Sequence, residues 1–496
     1  MTFRVRLRNI ILLPGLIAVF LIVSGKYFAW VVDDLYIYFR YVENFVSGSG
    51  IVFNLGEHVE GFSSFLWFAW LALCKSAGAD LESAAKYSSL SLAVLNILLV
   101  QILSSRILPG RLSVTAPVLT MFCLPYVLWA VSGFELMLFI FLLLLAVLIL
   151  SDENSGAPAL AGSACVLFLL TVTRPEGILY SFCLIYYSLF TSGNRRRFRL
   201  PLLIYLTLTA VFFGFRLAYF GDILPNTYYA KIGHGIFGAY EIRSYKNGVL
   251  YFIFFLKDNP QFIPGLIFAF AVLIRYMSDR LLMMLSLMLI CQLAFIAFAG
   301  GDWMVQHRFA VPAIPLLALL TAGLIAKLSR ERELAGALSA TLLCVVSAAS
   351  LVFGDKSVIE RETMLWNNVK VVAPSMGSII GPGTVAASGA CGIIPYSLSN
   401  VEIIDMVGLT DKTIAKEGYR TGMWFERSFP QYVYSKDPEF LIMWKKKDDN
   451  GEYRFRYAAP VYEEMSKDPG FQDFELAKTY DVLSDVVIEI YKRKGS

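Results

Sequence analysis

Through its first 353 residues the chain alternates long apolar runs with short polar breaks, and most runs are too continuous to be one face of a soluble amphipathic helix. They fall near residues 10 to 32, 84 to 104, 113 to 131, 134 to 150, 158 to 173, 177 to 192, 200 to 219, 261 to 275, 281 to 299, 309 to 327 and 335 to 353. This predicts about eleven membrane helices, several of them shorter than the ~20 residues of an untilted span. The run "SSFLWFAWLALCKSAG" (63 to 78) is set apart as an interfacial or re-entrant helix, because counting it as a span would reverse the side of the basic loops that follow. "GVLYFIFFLKDNP" is likewise too short to cross. After residue 354 the pattern changes. "DKSVIERETMLWNNVK", "GPGTVAASGACGIIPYS" and "KKKDDNGEYRFRY" are polar or turn-rich, and "VEIIDMVG", "EFLIMW" and "VVIEIYK" read as short strands. The expected architecture is a polytopic α-helical membrane domain over residues 1–353, then a soluble α/β domain over residues 354–496.

Composition agrees with that reading. Of 496 residues 57% are hydrophobic and only 17% charged, with a mean hydropathy of +0.61, outside the range of ordinary soluble domains. The net charge is +4, and no basic cluster is interleaved with aromatics over a soluble stretch, which excludes nucleic acid as a partner. Cys74, Cys123, Cys165, Cys183, Cys291 and Cys344 lie in apolar runs, so Cys391 alone cannot staple the polar region, and no spacing suggests zinc. The opening "MTFRVRLRNIILLPGLIAVFLIVSGKYFAW" starts like a signal peptide, but its apolar run is too long and no cleavage site follows, so it reads as a retained first span.

Lysine and arginine set the orientation. With "RVRLR" in the cytoplasm, the count places "SSRILPGR", "GNRRRFR", "RYMSDR" and "KLSRERE" there too, as the positive-inside rule requires. The unusual polar residues then collect on the external side: "DD" (Asp33, Asp34), "SGFE" (Glu135), "TRPEG" (Arg174, Glu176), "YFGDILPNTYYAKIG" (Asp222, Asn226, Tyr229, Lys231) and "GGDWMVQHRF" (Asp302, Trp303, His307, Arg308). Any one of these groups is explained by an interfacial anchor or an ion pair. Together, with glycine-bearing loops, they predict a polar cavity suited to a substrate with an anionic head and a greasy tail. Arg174, Lys231 and Arg308 are the candidates for a phosphate. Glu135, Glu176, Asp222, Asn226, Tyr229, Asp302 and Trp303 are candidates for sugar or acceptor contacts, Tyr229 and Trp303 by stacking. Asp33 or Asp34 could activate a hydroxyl or bind a divalent cation (Mg, Mn or Ca).

The ordered motifs "DDLYIYFRYVENFVSGSGIVFNLGEHVEGFSSFLW", "WAVSGFE", "TRPEG", "FRLAYFGDILPNTYYAK", "GGDWMVQHRFAVPAIPLLALL" and "IDMVGLTD" resemble the GT-C class of membrane glycosyltransferases, in particular the AftB-type terminal arabinofuranosyltransferase family. The resemblance runs from about Asp33 to Asp411. It implies a multi-pass protein of a bacterial inner membrane whose active site faces the periplasm or exterior, and the odd number of expected spans puts the C-terminal domain on that same side. It also implies a polyprenyl-phosphate-sugar donor, a glycan, lipid or protein acceptor, and a catalytic aspartate at Asp33 or Asp34. Motif order favours Asp33. The transferred sugar would be arabinofuranose or another pentose. Two other readings stand beside this one: a transporter or flippase for a lipid-linked glycan, and a noncatalytic membrane scaffold for surface or motility functions. A transporter would place its polar groups near the bilayer midplane, so their collection at one face favours the enzyme.

Overall fold

The structure, a computed structural model, describes residues 12–108, 110–152, 154–191, 195–232, 242–421, 427–455 and 458–495; the basic opening "RVRLR" lies outside them. Each of the eleven predicted runs coincides with helix. Among the described residues five helices are long and apolar enough to cross a membrane: Leu81–Ile107, Arg195–Phe220, Arg280–Ala299, Ala313–Glu331 and Glu333–Phe353. Arg111–Met121 and Leu124–Ala130, bent by 67°, make a sixth if they form one broken span. The others are short. Leu136–Leu150 has 15 residues and Ala157–Thr173 has 17, a rise of roughly 23 to 26 Å against the ~30 Å hydrocarbon core. By length and composition the described residues thus give five or six crossings, and the expected count of about eleven is not confirmed. The cause lies at the helix ends: Gly156 and Pro158 open one of these helices, and Arg174, in extended backbone before Pro175, closes it. The segment set apart as interfacial forms Phe65–Ser76, only 12 residues long, started by Ser64 accepting the Trp67 amide.

The chain forms two compact units that a single cut does not separate. The first comprises Met1–Phe28, Glu82–Val211 and Glu241–Lys356 and holds most of the long apolar helices, while Arg195–Phe220 continues into the second. Its core is built from aliphatic faces such as Ala313–Ala322, where every residue is buried, and Leu136–Leu150.

The second unit joins Ala29–Leu81 and Phe212–Tyr240 to Ser357–Ser496. It contains strands β1 (Val385–Ser388), β2 (Glu402–Asp405), β3 (Tyr419–Arg420), β4 (Arg427–Ser428), β5 (Phe440–Lys447), β6 (Tyr453–Phe455), β7 (Phe474–Leu483) and β8 (Val486–Arg493). The main sheet has the order β2-β1-β5-β8-β7, with β6 on β5; β3 and β4 pair separately. β1 lies parallel to β2 and to β5, whereas β8 runs antiparallel to β5 and β7. The central strand β5 is buried from Phe440 to Trp444, because helices cover the sheet. Strand order reverses at β1, which has β2 on one side and β5 on the other. In open α/β sheets the loops at the carboxyl ends of such strands are where ligands and functional groups gather.

Candidate functional site

In the second unit those loops are occupied by the sequence motifs. β1 ends at Ser388 and runs into Gly389–Gly392, and β2 ends at Asp405 and runs into "MVGLTD". Asp33, 6% exposed, meets the first of them. Its Oδ1 accepts the amide of Ile393 at 2.8 Å and its Oδ2 that of Gly392 at 3.1 Å. Burial pushes its carboxyl up to about 7; the Ile393 and Gly392 amides pull the other way and the neighbouring Asp34 charge adds to the rise. Gly392 is required here by proximity: a Cβ would run into the Asp33 carbonyl oxygen and carboxyl carbon. Asp34 differs. It stands at the N-cap of Leu35–Val46 with helical backbone, makes no side-chain cap hydrogen bond, and is more exposed than Asp33. The two adjacent carboxylates thus differ in setting: Asp33 is buried against the loop after β1 and Asp34 is half-buried.

Asp405, wholly buried, organises the second loop by accepting the amides of Val407 (2.9 Å), Gly408 (3.1 Å) and Thr410 (2.6 Å) and the Thr410 hydroxyl (3.1 Å). The outer side of the same loop is held by Asn226, whose Nδ2 donates to the carbonyls of Gly408, Leu409 and Asp411 at 2.9, 3.0 and 3.1 Å. Asn226, expected among the sugar or acceptor contacts, is buried and engaged with backbone through its amide. Asp222 takes Lys412 and Lys416, each at 2.5 Å, and Lys416 also sits 4.6 Å over the Tyr229 ring. Lys231 is exposed in the last turn of Asn226–Ile232.

Sequence reasoning missed two residues that frame these loops. Arg40, 4% exposed, donates to the carbonyls of Phe53 (2.8 Å), Pro395 (2.5 Å) and Val401 (2.7 Å). Arg216 pairs with Glu60 at 2.8 Å inside the unit. A charged residue within an otherwise apolar segment was the available signal for both.

The first unit gathers the other candidates. Arg174 lies between Glu135 (2.7 Å) and Glu176 (2.5 Å), all three buried, so its charge is more than balanced. Arg308 pairs with Asp302, Nε to Oδ2 at 2.6 Å and Nη2 to Oδ1 at 3.1 Å. The backbone delivering Arg308 is unusual: Gln306 and His307 are consecutive left-handed residues, φ 55° and 49°, and neither is glycine. His307 turns out to Asp258 at 2.9 Å. Trp303 is 47% exposed.

For a divalent cation the donor set is thin. Among the described residues no three His, Cys, Asp or Glu side chains gather as ligands, and both oxygens of Asp33 already accept amides. These residues do not build a protein cage for a metal.

Comparison with known proteins gives the class first. Over 98% of both chains the structure matches ArnT from Cupriavidus metallidurans bound to undecaprenyl phosphate, with a TM-score of 0.61 and 12% sequence identity. It matches the Archaeoglobus fulgidus oligosaccharyltransferase in complex with Zn and sulfate over 88% of this chain and 72% of that one, with a TM-score of 0.54 and 11% identity. The chain therefore has the GT-C fold of multi-pass membrane glycosyltransferases. In sequence it is 27% identical over 251 residues to the terminal beta-(1->2)-arabinofuranosyltransferase of Mycobacterium tuberculosis, a stretch covering 47% of this chain and 39% of that relative. The profile of a domain of unknown function (DUF8728) matches residues 363–491.

Proposed function

We propose that the protein is a membrane glycosyltransferase moving one sugar from a polyprenyl-phosphate donor to an extracytoplasmic glycan, lipid or protein. The observation carrying this reading is the end-to-end likeness to a transferase bound to undecaprenyl phosphate. The partly exposed carboxylate next to a fixed one in the loop after the first helix agrees with it. The arabinofuranosyltransferase relative favours a pentofuranose. The positive-inside pattern of the basic loops supports a periplasmic or external position for the loop bearing Asp34.

In this reading Asp34 is the catalytic group, in place of the Asp33 favoured by motif order. Asp34 takes the proton of the acceptor hydroxyl; that oxygen bonds the anomeric carbon, the bond to phosphate oxygen breaks, and polyprenyl phosphate leaves. The product is then of inverted configuration, and a retained product would instead make the carboxylate a nucleophile. Asp33 holds the loop. Lys231 supplies a cation for the donor phosphate. A divalent cation would have to be carried largely by the substrate's own oxygens, and a chelator titration of the transfer assay tests for it.

The deciding experiment combines purified protein, a synthetic polyprenyl-phosphate-pentose and surface glycans extracted from a deletion strain. Transfer in vitro and a pentose missing from the deletion strain support the reading. Intact glycans with no transfer from pentose or hexose donors overturn it.

A further inference from the structure

A second feature of the first unit lies far from Arg174 and Arg308. A cavity of about 210 Å³ is lined by Arg106, Ser151, Asp279, Lys327 and Arg330 together with apolar side chains. Four helix ends converge there: the C-terminus of Leu81–Ile107, the C-terminus of Leu136–Leu150, the N-terminus of Arg280–Ala299 and the last turns of Ala313–Glu331. The helices also say which end this is. Leu136–Leu150 begins beside Glu135 and ends beside Ser151; Arg280–Ala299 begins beside Asp279 and leads to Asp302; Ala313–Glu331 follows Arg308 and reaches Lys327 fourteen positions after its start. At 1.5 Å per residue the cavity lies on the order of 20 Å from the Asp302–Arg308 pair, at the opposite end of the bundle.

Its charge is unbalanced. Three cations face one carboxylate, and among the described residues Arg106, Lys327 and Arg330 have no carboxylate in ion-pair reach, in contrast to Arg174, Arg216 and Arg308. Arg106 leans on the Leu148 carbonyl and the Ser151 hydroxyl at 3.4 and 3.3 Å, and Lys327 lies 4.4 Å over the Tyr276 ring. These contacts hold Arg106 and Lys327 in place without neutralising them. The one carboxylate present, Asp279, uses its Oδ1 to cap its helix by accepting the Leu282 amide at 3.1 Å and offsets at most one of the three positive charges. Beside the polar lining the surface is greasy: Ile102, Ile274, Met277 and Leu328 are all exposed.

We infer that this cavity binds the phosphate headgroup of an anionic phospholipid, with the acyl chains lying along the neighbouring apolar helix faces. Cations clustered between membrane helices attract anionic headgroups, and the positive-inside pattern puts this end on the leaflet where such lipids concentrate. A free phosphate would satisfy the same cations but would leave the apolar rim unused.

The full chain purified in a neutral detergent tests the inference through its melting midpoint during titration with phosphatidylglycerol, phosphatidylcholine or inorganic phosphate. Phosphatidylglycerol should raise the midpoint at concentrations where phosphatidylcholine and inorganic phosphate do not. Neutralising one cation, as in Arg330→Gln, should raise the lipid concentration needed about fivefold, and the triple change Arg106→Gln, Lys327→Gln, Arg330→Gln should remove the response. Asp279→Asn keeps a cap acceptor while deleting the opposing charge, so it should lower the concentration needed about fivefold and guards against a variant that merely fails to fold. An equal response to phosphatidylcholine, or one unchanged in all these variants, overturns the site. A response reproduced by inorganic phosphate overturns the lipid as its occupant.

Discussion

Asp33 and Ile393, 360 positions apart in the chain, meet through a hydrogen bond of 2.8 Å from the Ile393 amide to the Asp33 carboxylate. With the Gly392 amide on the other oxygen, both carboxylate oxygens of Asp33 are engaged with the loop after β1, whereas Asp34 is the more exposed of the two.

Exchanging the two aspartates for asparagine should therefore give different phenotypes. Asp34→Asn is expected to lower sugar transfer by about 10²- to 10⁴-fold, the usual worth of a positioned acid or base, while the melting midpoint stays at the parent's. Asp33→Asn presents an N–H₂ to one of two amide donors and should lose about 1–3 kcal/mol of stability. Parental transfer by Asp34→Asn, with the Asp33 variant inactive but fully stable, would reverse the assignment.

The titration of Asp33 provides a second test. In the fold its carboxyl titrates near 7, above the ordinary 3.8, so the folded chain binds more protons than the unfolded one between those values. Stability contributed at low pH is accordingly lost as pH rises through about 4 to 7, and Asp33→Asn should melt with a flatter dependence over that window. Glu60 and Asp411 are also raised, to about 7 and about 6, but they are common to both proteins and cancel in the comparison. Parallel pH profiles would show that Asp33 does not titrate there.

Gly392→Ala approaches the same contact from the other side. The new methyl meets Asp33 backbone, which cannot move as a flexible side chain can, so a loss of about 1–3 kcal/mol is expected in thermal or denaturant melts. Gly381→Ala, with open space around its Cβ position, is the control and should melt near the parent.

Asn226→Ala removes the donor shared by three carbonyls of the loop after β2. Limited proteolysis should then cut within residues 406–411 at protease levels the parent resists, with a stability loss of about 1–3 kcal/mol. Protection equal to the parent's would mean that Asp405 alone holds the loop.

For Arg308 the buried pair with Asp302 sets the expectation. Arg308→Ala leaves an uncompensated carboxylate and should cost about 3–5 kcal/mol, and Asp302→Ala a similar amount, with the double variant well short of the sum. If Arg308 also holds the donor phosphate, the double variant will need more donor even where its stability recovers.

Much of the fold was legible because it is written in local pattern. All eleven apolar runs became helix, and the polar, turn-rich segment from Asp355 onward supplied the sheet. The number of crossings was less legible, since hydropathy registers runs whose helices stop after 15 or 17 residues at Gly, Pro or a turn. Chemistry-bearing residues were recognisable by type, but their partners were not. Nothing near Asn226 in sequence announces the carbonyls of Gly408, Leu409 and Asp411, and nothing beside Asp33 announces the Gly392 amide. Such contacts depend on loops that meet only in the folded chain. The Asp302–Arg308 pair, six residues apart, was within local reach.

The second unit is assembled from three stretches of chain separated by membrane helices, and this orders events during biosynthesis. A ribosome releases Asp33 long before Gly392, and Asn226 well before Asp411. The early stretches can pair with each other, as Arg216 does with Glu60, but Asp33 and the Asn226 amide must wait for their C-terminal partners while helix after helix is inserted. Contacts of such long sequence separation are slow to form and vulnerable while open. A nascent chain halted before β1 would carry every candidate membrane helix of the described residues, yet lack the Gly392 and Ile393 amides that Asp33 requires and the carbonyls that Asn226 holds, so the C-terminal sheet is what completes these loops.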